Sequence, residues 1–597
     1  MPQLRLALAQ VDPVVGDLAG NADLVVTWAQ HAAARGAHLV AFPEMMLTGY
    51  PPEDLVLRTS FVEASATLVE TLATRLAAVG LGELAVIVGY LDRAAPHHAA
   101  AHAPKPTDSA AFLFRGQVVA RYAKHHLPNY GVYDELRYFS QGDRVPVVRH
   151  LGIDIAMTVC EDLWQDGGPI TAAGFATAGL VVNINGSPFE RGKGDVRLRL
   201  AQRRAAEANA TLAYVNMVGG QDELIFDGDS FVVTAAGQPL ARAPRFEIGL
   251  VVVDLALTAA TDDRVGAIDV RDGTLMHIER VDLRTPPLAH YDAQSAGLAP
   301  QLSLEAEVYG ALVAATRDYV RKNGFTSVVL GLSGGIDSAL VATIAVDALG
   351  AAAVHTVALP SRWSSEHSLS DAAELARRQG TDHTVVPIGD VVAAFERDVE
   401  LHGLAAENLQ ARVRGTILMG LSNEHGHLVL TTGNKSELAT GYSTLYGDSA
   451  GGFAPIKDVP KTLVWRLAQW RNAQAANGSA PPIPQNSIDK PPSAELRPDQ
   501  LDSDSLPDYA VLDAVLEAYI ERDLGRDALI AAGHDAAMVD QVIRLVDGAE
   551  YKRRQYPPGP KITARNFGRD RRLPITNRWR EPTASPRLPG NLALPQP

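Results

Sequence analysis

The segment Ser333-Gly334-Gly335-Ile336-Asp337-Ser338 constrains this chain most. A strand-like apolar run, Val328 to Leu332, leads into it, and an amphipathic helix-like stretch, Ala339 to Leu349, follows it. Two glycines let the backbone come close to an anion. The N–H groups opening the next helix point at that anion, and the helix dipole favours negative charge there. The order strand, glycine turn, helix predicts a phosphate cradle. Asp337 adds a carboxylate where a phosphate-bound magnesium ion would need one.

The segment lacks the Lys-Ser/Thr ending of a Walker A loop. It resembles the pyrophosphatase loop SGGxDS instead. Enzymes with that loop cut ATP between the α and β phosphates, hold the departing pyrophosphate, and leave an adenylylated substrate for a nucleophile, often ammonia. By the same resemblance Gly331 and Leu332 belong to the ATP-binding stretch with Ser333, Gly334, Gly335, Ile336, Asp337 and Ser338.

A second signal lies upstream. The alternating, strand-like run from Gly152 ends at Cys160, the only cysteine in the chain. One thiol allows no internal disulfide, so the choice is between an inert buried thiol and a reactive one. His38 to Glu44 reads as another buried strand, with a carboxylate at its end. Arg121 to Pro128 carries Lys124 just beyond a strand, Gln117 to Tyr122. A thiol, a carboxylate and an ammonium make a complete amidase. The carboxylate accepts the thiol proton, the thiolate attacks an amide carbon, and the ammonium stabilises the oxyanion.

On these residues, 1–275 resembles a nitrilase-superfamily glutamine amidohydrolase with a Glu44, Lys124, Cys160 triad. Residues 304–575 resemble an NAD synthetase domain, with 276–303 as linker and 576–597 as tail. Together they resemble the glutamine-dependent NAD synthetase family, whose substrates are ATP, deamido-NAD and L-glutamine. The fold implied is α/β throughout: a nitrilase-like αββα sandwich followed by a Rossmann-like parallel-sheet ATP pyrophosphatase domain.

The resemblance also implies roles residue by residue. Tyr130, Ser187 and Lys193 would hold glutamine, with Glu135 beside Lys124. Thr432, Lys461, Ser361 and Arg362 would join the glycine loop on ATP. Asn408, Arg414, Glu437 and Lys552 would meet deamido-NAD, and Asp337 and Glu437 would hold magnesium. Leu445 stands before Tyr446-Gly447-Asp448 where ammonia-dependent relatives carry a lysine, so the polar contact made there should be absent. A homo-oligomer with an inter-domain ammonia tunnel is expected. Two other readings are a glutamine-dependent ligase for another carboxylate or carbonyl, and a catalytically silent nucleotide sensor. The amidase half argues against the first, and the intact triad and loop against the second.

Composition sets the outer limits. A formal charge of −15 over 597 residues argues against a general nucleic-acid binder, so phosphate must be met by local cations such as Lys552 to Arg554 and Arg565 to Arg572. No apolar run reaches the roughly 18 residues of a membrane span, and Met1 opens no signal sequence, so a cytoplasmic protein is expected. Strands at Leu4 to Gln10, His38 to Phe42, Ala85 to Tyr90 and Ile153 to Val159 alternate with helical stretches such as Asp23 to Arg35. Arg284 to Ser303 has no steady period and reads as the linker proper, with a new α/β unit from Leu304. His97, His98 and His102 read as a surface loop. The proline-rich stretch Asn477 to Asp508 reads as a strap that closes over the nucleotide site.

Overall fold

The strand Gln3–Gln10 alternates perfectly: Leu4, Leu6 and Leu8 enter one buried cluster, Ala7 and Ala9 another. Period-two burial on both faces requires a layer on each side of the sheet. In this computed structural model, which describes residues 1–93, 105–270, 273–476, 479–579 and 581, those layers are a second sheet and a pair of helices. The first sheet has six strands, in the order Gly249–Ala256, Gln3–Gln10, Leu39–Ala41, Ala85–Asp92, Thr107–Phe114, Gln117–Ala123. Helices Leu18–Ala34 and Thr59–Leu76 cover its outer face through Val25, Ala29, Val69 and Leu72.

The second sheet has eight strands, and Ile153–Val159 and Leu180–Asn185 lie near its centre. Their Ile155, Met157, Val159, Val181 and Ile184 belong to the same cluster as Leu4, Leu6 and Leu8. Helices Gly168–Phe175 and Lys193–Ala208 pack on this sheet. The result is the expected αββα sandwich.

The chain divides into two units, Met1–Lys322 and Asn323–Pro597. The helix Leu304–Lys322, expected to open the second domain, therefore lies in the first unit. Charge explains why: Asp318 accepts from the Gly220 N–H at 2.8 Å, Lys322 donates to Asp12 at 2.6 Å, and Arg245 donates to Glu307 at 2.6 Å. Part of the expected linker is also ordered sheet, since Leu275–Asp282 pairs in parallel with Arg144–His150. Only the stretch after it runs without a long element.

In the second unit four parallel strands take the order Asp382–Val385, Val354–Ala358, Val328–Gly331, Leu428–Leu430. Chain order reverses between the last two, which makes their carboxyl ends the switch point where ligands enter open α/β sheets. Helix Ile336–Leu349 starts three residues earlier than its apolar pattern predicts, directly after Gly335. Helices Tyr509–Leu516 and Ala536–Gly548 share a separate apolar cluster with Leu438 and Tyr556. Among the described residues no helix is long and apolar enough to cross a membrane. His97, His98, His102 and the tail from Pro582 lie outside the described residues.

Arg197 is 1% exposed and binds Asp227 at 2.6 Å while donating to the carbonyls of Ser187 and Pro188. Arg197→Met leaves Asp227 with only the Arg245 guanidinium 3.9 Å away. The loss should cost about 3 kcal/mol, seen as a lower urea midpoint by circular dichroism. An unchanged midpoint would contradict this account.

Candidate functional site

Three loops leave the carboxyl ends of strands in the first unit and meet. Glu44 follows Leu39–Ala41, Lys124 follows Gln117–Ala123, and Cys160 follows Ile153–Val159. Glu44 and Lys124 are fully buried and Cys160 is nearly so. The Lys124 ammonium donates to Glu44 Oε1 at 2.7 Å, to Glu135 Oε1 at 2.9 Å and to Asp108 Oδ2 at 3.3 Å. Glu44 Oε2 accepts from the Gly186 N–H at 2.5 Å. Glu44, Asp108 and Glu135 each present an oxygen within 4.8 Å of the other two, a spacing that suits a cation. Lys124 is the cation they share.

Burial disfavours the Glu44 carboxylate, but Lys124 and hydrogen bonds from Asp108, Lys124 and Gly186 outweigh it and hold its pKa below the ordinary value. Lys124 is also penalised by burial, yet Glu135, Glu44 and Asp108 raise its pKa well above that of a free lysine. Burial, then the Glu44 charge, pushes the Cys160 thiol well up. These directions favour a protonated thiol and an ionised carboxylate, a pairing in which a carboxylate can take the proton as a thiol attacks.

Cys160 has φ +41°, in the left-handed region, and opens the short turn Cys160–Leu163. Strain of this kind at a nucleophile persists only where the surroundings over-determine it. Asp162 supplies that constraint. Its carboxylate accepts from the N–H groups of Val159 at 2.9 Å and His126 at 2.9 Å, and from Tyr122 Oη at 2.6 Å. The turn that carries Cys160 is thereby tied to the segment that carries Lys124.

At the mouth, Tyr130 is 54% exposed and donates to Glu161 Oε2 at 2.9 Å. Ser187 is buried: its N–H donates to Asn216 Oδ1 at 2.9 Å and its Oγ accepts from Arg197 at 3.2 Å. Lys193 sits over the Trp164 ring at 5.5 Å and donates to the Pro188 carbonyl at 3.3 Å.

In the second unit a cavity of about 590 Å³ opens at the switch point. Gly331, Leu332, Ser333, Gly335, Ile336, Asp337 and Ser338 line it from one strand end, and Thr432 and Glu437 from the next. Asn408, Arg414, Lys461 and Lys552 line it too, whereas Gly334 of the loop is not in the lining. Ser361 and Arg362 are not in the lining. Arg362 instead stacks on Trp363 and reaches Glu396 at 3.4 Å. Gly334 has φ +78° with the Ser368 carbonyl oxygen 2.3 Å from where a Cβ would sit, so only glycine fits this turn.

One charged group in this cavity is tightly knit. Lys461, 1% exposed at its side chain, binds Asp337 and lies 3.8 Å from Glu437 Oε1. Asn434 donates to Asp337 at 2.9 Å and caps the helix that carries Glu437. Burial and the Asp337 charge push the Glu437 carboxyl above its ordinary value. Two oxygen donors in such surroundings suit magnesium, a hard cation that would relieve their repulsion. Lys552 donates to the carbonyls of Gly441 and Ser443 at 2.8 and 2.7 Å, and Arg414 to that of Leu359 at 3.0 Å. Asn408 accepts from Thr444 at 2.7 Å.

The proline-rich strap contributes Lys490 to Leu496, Gln500, Asp502 and Ser505 to the same lining. Glu495 accepts from Ser368 Oγ at 2.6 Å, and the Leu496 carbonyl from Gln410 at 3.0 Å. Sequence reasoning missed Asp108, Asp162, Glu161 and Asp502. Glu161 and Asp162 sit beside the cysteine and so had a signal; Asp108 and Asp502 had none. Gly334→Ala should abolish ATP binding by calorimetry while leaving the circular dichroism spectrum intact, and retained affinity would remove the cradle from the site.

Family models match two successive stretches of the chain, the second taking in most of the helix Leu304–Lys322 that packs with the first unit. A carbon-nitrogen hydrolase model matches residues 5–264 and an NAD synthase model residues 308–556. The chain is 42% identical to the glutamine-dependent NAD(+) synthetase of Thermotoga maritima over 98% of its length and 100% of that protein. It is 44% identical to that of Rhodobacter capsulatus over 97% and 99%. A solved glutamine-dependent NAD+ synthetase from Acinetobacter baumannii, in complex with ADP, superimposes with TM-score 0.70 at 39% identity, covering 97% of this chain and 100% of that one. Two catalytic units in one chain, matched end to end by such relatives, place it in the glutamine-dependent NAD(+) synthetase family.

Proposed function

We propose that Cys160 releases ammonia from glutamine in the first unit, and that the second uses it to convert deamido-NAD to NAD at the expense of ATP. The observation that carries this reading is the pairing, in one chain, of the buried Glu44–Lys124–Cys160 cage with the cavity built on Ser333 to Ser338. Glu44 accepts the thiol proton as Sγ attacks the amide carbon, and Lys124 stabilises the oxyanion. Ammonia leaves, and water, activated by Glu44, hydrolyses the γ-glutamyl thioester to glutamate. Tyr130 and Glu161 at the mouth offer acceptors for the α-ammonium of the substrate.

In the cavity the N–H groups of the glycine loop and Lys461 meet the phosphates of ATP. The nicotinate carboxylate of deamido-NAD attacks the α phosphate, pyrophosphate leaves, and ammonia then displaces AMP. Asn408, Arg414 and Lys552, which line the same cavity, position deamido-NAD, an anion. Asp337 and Glu437 would hold magnesium, whose charge neutralises the phosphate oxygens. A carboxylate is a poor acyl donor because oxide would have to leave, and adenylylation removes that obstacle. Ammonia in neutral water is mostly protonated and no longer a nucleophile. An enclosed passage completed by a homo-oligomer is the reading that preserves it. A cytoplasmic location keeps the lone reactive thiol reduced.

Purified protein given deamido-NAD, ATP, magnesium and glutamine should form NAD, AMP and glutamate in equal amounts. Cys160→Ala should lose glutamine-dependent synthesis and keep ammonia-dependent synthesis. Glutamate release without NAD would assign the second unit a different acceptor, and loss of both routes in Cys160→Ala would contradict the separation of the sites. With ¹⁵N-ammonium in the medium and unlabelled glutamine, NAD should carry little label; full labelling would refute the enclosed passage.

A further inference from the structure

Asp108 is fully buried beside the catalytic carboxylate, and the mechanism above does not use it. It lies on the strand Thr107–Phe114, and its main-chain carbonyl accepts from the Lys124 N–H at 2.8 Å, which fixes it against that residue. Oδ2 stands 3.3 Å from the Lys124 ammonium, the longest of the three contacts made by that ammonium. Oδ1 is sealed from solvent and has no donor. One oxygen of the side chain lies within 4.8 Å of an oxygen of Glu44. Two carboxylates can hydrogen-bond only if one of them carries a proton.

The charge count leads to the same conclusion. Glu44, Asp108 and Glu135, all ionised, would set three negative charges against the single charge of Lys124. Tyr50 Oη donates to Glu135 Oε1 at 3.0 Å, and the Cys160 thiol is neutral, so neither supplies a balancing cation. Two uncompensated charges in a cage sealed from solvent are too costly to persist, and such a site takes up a proton. Glu44 holds the shorter contact to Lys124 and an N–H donor from Gly186, so it keeps its charge. Glu135 is held by Lys124 at 2.8 Å and by the Tyr50 hydroxyl at 3.0 Å; Asp108, with the longest contact to Lys124 and an oxygen that no donor reaches, is where the proton goes.

We propose that Asp108 is a positioning residue for the amidase step: it holds a proton and donates it to the Glu44 carboxylate, keeping that carboxylate oriented and ionised to receive the Cys160 proton. This inference rests on the glutaminase reading of the first unit. Burial and the Glu44 charge raise the Asp108 pKa well above that of a free aspartate, in agreement.

The pH dependence of glutamate release tests the proposal by its sign. Glu44 acts as base only when ionised, so its protonation sets the acid limb of kcat/KM. Asp108→Ala removes a donor to that carboxylate, raises its pKa, and should move the acid limb up by about one unit. Asp108→Asn supplies an N–H donor in the same place and should return the limb to the wild-type position. If Asp108 were an anion, removing its charge would lower the pKa of Glu44, and both variants would move the limb down. A downward shift, or no shift in Asp108→Ala, overturns the proposal. The wild-type minus Asp108→Asn infrared difference spectrum should contain the C=O band of a protonated carboxyl; a carboxylate band in its place overturns the proposal independently. Failure of the wild-type protein to release glutamate would instead refute the glutaminase reading itself.

Discussion

A lysine taken wholly out of water costs several kcal/mol unless its charge is matched on the spot. Lys124 is matched by Glu44, Glu135 and Asp108, and much of the first unit can be read as what holds those four side chains in place. Asp108 lies on a strand of the six-stranded sheet and the other three follow strands of that sheet, while Gly186 and Cys160 follow strands of the facing sheet. The Gly186 N–H and Asp162 then fix the two parts that move most easily, the Glu44 side chain and the Cys160 turn. Removing the ammonium would leave mutually repelling carboxylates in a dry interior, so fold and chemistry depend on the same ion group.

The second unit treats charge differently. Its ligands are large, anionic and transient, so it offers a cavity of about 590 Å³ with Lys461 already engaged by Asp337 and 3.8 Å from Glu437. In the reading proposed above, much of the anion recognition falls to backbone N–H groups at the start of helix Ile336–Leu349, which carry no formal charge and need no counter-ion when the site is empty. This is how an acidic chain can bind polyphosphate without a large basic surface. The price is conformational, and Gly334 meets it with a backbone angle that a side chain would block.

Much of this was legible in the sequence because its signals are local. The glycine loop, the strand leading into it and the three amidase residues each sit at the end of an apolar run, and the structure brings Glu44 and Lys124 into direct contact, with Cys160 under the influence of both charges. What escaped is what depends on contacts distant in sequence. Asp108 is one polar residue in a strand whose partners, Glu44 and Glu135, come from other loops. Asp502 lies in a stretch with no period. The helix Leu304–Lys322 looks like the start of a new unit because its pattern is ordinary. It joins the first unit through Asp318, Lys322 and Glu307, whose partners Gly220, Asp12 and Arg245 lie 62 to 310 residues away. Ser361 and Arg362 fall outside the cavity lining although Pro360 and Ser364 on either side belong to it, a distinction that residue types alone do not specify.

The protonation state of the cage has a consequence for economy. An amidase whose thiol stood ionised at rest would react with any electrophile and could hydrolyse amides without regard to the second site. Here burial and the Glu44 charge both oppose the thiolate, so the nucleophile forms only while the proton passes to Glu44 and a bound carbonyl accepts the electrons. In the proposed mechanism the gain in reactivity comes from the substrate, which enters beside Tyr130 and Glu161 and brings the developing oxyanion to Lys124. Selectivity for glutamine and restraint in its absence are then two results of a single arrangement, a neutral thiol in a cage whose negative charge is already placed.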